Sequence, residues 1–461
     1  MRRAASFLAA MAAAGLVVGA CGDDESPAKD GTTAGADAGT DAGGDAGVDA
    51  GDDAGTDAGD DAGPKQNAFT NAANWSAFDA SNIGGLMTRG YFGGVFDGRY
   101  VHYVPCRTAD FHGVALRYDT KAEFKTAASW ESFDAGSTDG LSTIGYAGGV
   151  FDGKFVYFVP FTDGKVPHAR VLRVDTTQPF TSAASWRAYD AGNTGGMDTT
   201  RYDGAAFDGR YVYFAPFGYE PVAHGKVLRY DTKAEFKSPA SWSAYDAAST
   251  DALQTKGYYG ALFDGRYVYF VSFHDGSAFH GRMLRYDTKA DFQSAASWSA
   301  YDAQKTDGMS TVGYKGAAFD GRYVYYAPFR DNTDRHGRIL RYDTKGDFRT
   351  AASWTAQDAG ATDGLDTKGY VGAEFDGRYV YFVPYSGDEN IFHGRALRYD
   401  TQGDFHAAQS WTGYDAGSTD GLDTKGYKFS AFDGRFVYYV PYNNGAKFHG
   451  IALRFDTKGA P

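Results

Sequence analysis

GYYGALFDGRYVYFVSFHDGSAFHGRMLRYDTKADFQSAASWSAYDA, residues 257–303, is one unit of an array. Its FDG recurs with the phenylalanine at 96, 151, 207, 263, 319, 375 and 432, a period of 55 to 57 residues over seven copies. A fixed period of this size marks stacked supersecondary units. Within the unit, 257–263 reads as a first strand and Asp264-Gly265 as a two-residue hairpin turn needing positive φ. The run YVYFVSF at 267–273 reads as a second strand covered on both faces. Residues 280–288 read as a third strand and 297–303 as a fourth.

Four short antiparallel strands repeated seven times predict an all-β fold, a seven-bladed β-propeller. The ends of the array support it. One extra fourth strand, WSAFDA at 75–80, precedes the first complete copy, and the chain stops at a third strand over 453–457. Joining the two closes the ring and leaves no open sheet edge. An apolar Tyr-rich strand, a strand ending Tyr-Asp and a Trp about eleven residues later are similar to the kelch repeat of β-propellers, over residues 69–461. Where kelch carries paired glycines, this chain has Pro-Phe or Pro-Tyr, as at Pro160-Phe161 and Pro384-Tyr385.

Ahead of the array the composition changes twice. Residues 1–20 carry Arg2 and Arg3, an apolar run and a small-residue end, which reads as an export signal too short to span a bilayer. Val18-Gly19-Ala20-Cys21 resembles a bacterial lipobox, which implies cleavage before Cys21 and its lipidation. Residues 21–64 are almost wholly Asp, Ala, Gly and Thr, with nothing large to bury, so they read as a disordered tether. Its flexible reach is about 35–40 Å. The propeller is assigned to residues 65–461.

Net charge is −13, but residues 1–64 hold 13 acidic against 3 basic groups, leaving 45 against 42 in the repeats. The folded body is close to neutral, with no basic field for nucleic acid. Cys106 stands where the other copies carry Phe or Tyr and reads as a buried substitution, not paired with Cys21.

Seven copies act as an internal alignment. The loop before the third strand has no common sequence, yet each copy ends it with a histidine: His112, His168, His224, His280, His336, His393 and His449. Neighbouring sheets stand about 10 Å apart, so these imidazoles cannot share one metal ion; no metal and no cofactor is assigned. The loop from fourth to first strand carries Asp139, Asp251, Asp307, Asp363 and Asp420, and propeller connectivity puts it on the histidine face. A carboxylate, an imidazole and an aromatic ring per blade would suit a sugar's hydroxyls and apolar patches. The alternative for the histidines is a structural bond to backbone. Arg285 and Asp287, repeated in every copy, read as a structural ion pair or turn bond, and the Trp series as packing knobs.

No nucleophile triad, phosphate loop or calcium loop is present. Copies this alike favour multivalent binding over one catalytic site. The expectation is a monomeric, membrane-tethered recognition protein of the cell surface or periplasm, resembling bacterial lectin propellers, with glycans as ligand. The alternatives are a protein-binding envelope scaffold and a propeller hydrolase or lyase.

Overall fold

The structure, a computed structural model, describes residues 68–218 and 223–459. The signal, the tether and Cys21 lie outside the described residues. Seven four-stranded antiparallel sheets are present, six of them with strands in sequence order. The fourth blade shows the pattern: Tyr258–Phe263, Tyr267–Ser272, Arg282–Asp287 and Trp298–Asp302. The seventh sheet is composite. Trp75–Asp79 pairs with the third strand of the last copy, Ile451–Asp456, in the register Trp75↔Phe455 to Asp79↔Ile451. The ring closes by hydrogen bonds, as the array ends predict.

The second strand is buried from Val268 to Ser272 because neighbouring sheets cover both faces. The turn after the first strand is longer than expected. It spans Asp264-Gly265-Arg266, with Gly265 at φ +100°. Asp264 closes it: Oδ1 accepts from the amides of Arg266 and Tyr267, and Oδ2 from the Tyr269 hydroxyl at 2.7 Å. Blade one replaces that tyrosine with His102, which makes the same bond to Asp97 at 2.7 Å.

Six of the seven tryptophans stack on an aromatic of the preceding blade; for Trp411 that position holds Gln357 instead. Trp298 donates its indole N–H to the Phe292 carbonyl and stacks on Tyr245 of the preceding blade at 4.8 Å. At the axis, glycines let the innermost strands approach. A Cβ on Gly204, at φ +72°, would stand 2.7 Å from the Cα of Gly260. The seventh copy breaks this rule with Phe429 at φ +62°, a left-handed conformation that costs about 1–2 kcal/mol. Its ring returns contacts across the axis, 5.9 Å from Phe92 and 6.0 Å from Tyr259.

Candidate functional site

The seven histidines lie two residues before their third strands, and backbone groups occupy both ring nitrogens. His280 Nε2–H donates to the Lys256 carbonyl at 2.8 Å, and Nδ1 accepts the Arg282 amide at 3.2 Å. The same two bonds hold His112, to Arg89 and Val114, and His168, to Ile144 and Arg170. They recur for His224, His336, His393 and His449. This set requires the neutral imidazole. Burial pushes His280, His336 and His393 down to about 3, and His168, His224 and His449 to about 4.

The loop aspartates do not bond to these histidines. Each sits in left-handed backbone, φ +51° to +54°, a conformation that short polar residues and glycine tolerate. Gly84 and Gly195 take it in the two copies that lack the aspartate. The carboxylates cap outward amides of fourth strands: Asp139 accepts from Ala188, Asp251 from Ala300, Asp307 from Ala356, Asp363 from Gly413 and Asp420 from Ala77, at 2.8–2.9 Å. They protect sheet edges on the outer wall. Cations from a neighbouring blade complete three of them, Lys237 on Asp139, Arg349 on Asp251 and Lys125 on Asp420.

The opposite face carries the FDG turns. Asp287 makes the expected turn bond, Oδ1 accepting from the Lys289 amide at 3.1 Å, and its ion pair is with Arg266 of its own blade at 2.7 Å rather than with Arg285. The Arg285 guanidinium instead lies between rings, 4.1 Å from Tyr267 and 4.4 Å from Phe348 of the next blade. Arg266 covers the other side of Tyr267 at 4.8 Å. The ladder runs from a half-exposed guanidinium through a ring to a buried guanidinium and a second ring. It recurs on every blade, with Lys154 and Phe155 as the outer pair in blade two.

What varies between copies is the second residue of the first strand: Phe92, Ala147, Asp203, Tyr259, Lys315, Val371 and Lys428. These side chains meet at the axis beneath a ring formed by Cys106, Phe161, Phe217, Phe273, Phe329, Tyr385 and Tyr442. Lys315 lies 3.9 Å from the Phe329 centroid and Lys428 lies 3.9 Å from that of Tyr442, both buried. Asp203 shares their field and is 2% exposed, with Oδ1 lacking a hydrogen-bond partner. Burial raises its carboxyl well above the usual range, against the pull of both ammonium groups. Cys106 is fully buried in the ring, as its reading as a buried substitution expects.

Glu374 is a second asymmetry. The other copies carry Val, Ala or Leu at its position. It is partly buried with Ser430 Oγ at 3.3 Å, and burial raises its carboxyl to about 7. A carboxyl raised above its unfolded value withdraws stability as pH climbs from about 4.5 to about 7. Glu374→Gln is therefore expected to raise stability at pH 8 by about 1–3 kcal/mol and to change nothing near pH 4, by denaturant titration. Equal effects at both pH values would contradict this.

Fold and ring define the chain as a seven-bladed β-propeller built from near-identical blades. No protein-family model matches it, and no curated protein matches it. Among the described residues, no helix is long and apolar enough to cross a membrane.

Proposed function

We propose that this propeller is a lipid-anchored recognition protein of the cell envelope that binds its ligand multivalently, with glycans as the ligand class. One observation carries the reading: strand register and blade-internal bonds repeat around the ring, so a solvent-facing group is displayed up to seven times about one axis. Weak contacts act together when several are engaged. Catalysis gains nothing from such repetition.

The deciding experiment is a glycan-array screen of residues 65–461, followed by calorimetry of any hit. Binding with a stoichiometry well above one supports the reading. A blank array together with capture of one defined protein moves the function to the scaffold alternative. The anchor rests on Arg2, Arg3, the apolar run and Cys21. Intact mass of the exported protein tests it: a gain of the acyl and glyceryl groups supports the anchor, and a mass without acyl groups refutes it.

A further inference from the structure

We infer that the sugar-binding sites of this propeller are the grooves between adjacent blades on the FDG-turn face, and that each recognises two neighbouring hydroxyls of a neutral saccharide. This rests on the recognition reading above and replaces the histidine face as its location. On the histidine face the repeated polar side chains are occupied by backbone. The turn face carries repeated polar groups that remain open.

The groove between blades one and two has a volume of about 280 Å³, lined by Asp97, Arg99, Tyr100 and Arg117 of one blade and Thr176 and Gln178 of the next. Arg99 is 54% exposed along its side chain and pairs with Asp119 at 2.7 Å through Nη2 and also through Nε. Its Nη1 group makes no hydrogen bond to a described residue, so two N–H donors stand beside a partly exposed carboxylate. The Tyr100 ring holds the arrangement flat, with the Arg99 guanidinium 4.9 Å away on one side and Arg117 3.8 Å away on the other.

Charge decides the ligand. A lone guanidinium selects anions bidentately, but this one is already neutralised. An approaching anion would meet Asp119, and a cation would meet Arg99. A pair of neighbouring hydroxyls satisfies both, one accepting from Nη1–H and the other donating to the carboxylate. The same pairing recurs as Arg210–Asp231, Arg266–Asp287, Arg322–Asp343, Arg378–Asp400 and Arg435–Asp456 at 2.6–2.7 Å. Blade two substitutes the weaker Lys154–Asp175 pair at 3.3 Å. Gln178 adds an amide donor and acceptor to the first groove, where the other copies have Ala or Gly.

The probes are beads bearing D-mannose, D-galactose or D-glucose, with D-glucuronate beads as the charged comparison. The wild-type propeller is expected to be retained on at least one neutral sugar. The triple variant Arg210→Ala, Arg266→Ala, Arg322→Ala should reduce retention at least tenfold while the melting temperature stays within a few degrees, because exposed ion pairs contribute little to stability. Gln178→Ala, made alone, should weaken retention less, since it touches one groove. Retention only on glucuronate overturns the hydroxyl-pair inference, and so does absence of retention on all three neutral sugars. An array hit whose binding survives the triple substitution removes the grooves but leaves the recognition reading standing.

Discussion

On acidification the propeller is expected to unfold cooperatively between about pH 6 and pH 4, with uptake of several protons. Seven histidines, five of them buried and His112 and His224 half-buried, make this the steepest pH response of the molecule. Each must be neutral when folded, because Nδ1 accepts a backbone amide while Nε2–H donates to a carbonyl. Their folded values fall to about 3 or 4 where burial is deepest, and His112 is lowered as well. In the unfolded chain each returns to about 6.5.

The unfolded state therefore binds more protons below pH 6.5, and stability drops as pH falls while staying flat above that value. One histidine costs about 1.4 kcal/mol per pH unit across its window. The six that fall to about 3 or 4 together withdraw about 8 kcal/mol per unit, comparable with a whole domain's stability. Tryptophan fluorescence against pH, with proton uptake by potentiometry, measures it. A shallow transition confined below pH 4 would refute the neutral-latch assignment.

The companion variant acts at neutral pH. His280→Ala removes two buried bonds and leaves a ring-sized void, an expected loss of about 2–4 kcal/mol. An imidazole acting only as a ligand contact would give no such loss.

The architecture was readable because its determinants are local and repeated. FDG sets a turn, the Tyr-rich run sets a doubly covered strand, and the extra WSAFDA segment announces the closure that Trp75↔Phe455 completes. The histidines were visible as fixed points, but their partners are backbone carbonyls some 23–25 residues upstream, and a carbonyl leaves no mark in a residue alphabet. The loop aspartates were misplaced because connectivity specifies a face and not a radius; they reach the outer wall. The axial group of Asp203, Lys315 and Lys428 escaped for the opposite reason. What repeats draws attention away from a strand position where Phe, Ala, Asp, Tyr, Lys and Val all occur.

The largest loss of stability is expected from removing the closing strand. A chain beginning at Asn82 lacks Phe69 and Trp75, both buried, and the five-residue ladder onto Ile451–Asp456. Trp75 packs on Tyr414, Tyr439 and Phe455 at 4.8–5.7 Å, and Phe69 packs on Phe455 at 5.2 Å. Each aromatic accounts for about 3–5 kcal/mol when deleted from a core, and the ladder adds roughly 1 kcal/mol per bond. The sum, on the order of 10 kcal/mol, equals a domain's whole margin. The strand Ile451–Asp456 would also become an apolar open edge, prone to pairing with another chain. Residues 82–461 should therefore aggregate on expression, and a synthetic peptide of residues 68–81 added during refolding should restore a monomeric propeller. The same peptide carrying Trp75→Ala should fail, because it keeps the ladder but loses the ring that fills the gap between the last two blades. If residues 82–461 alone were monomeric with an unchanged melting temperature, the hydrogen-bonded seam would not be what closes this ring.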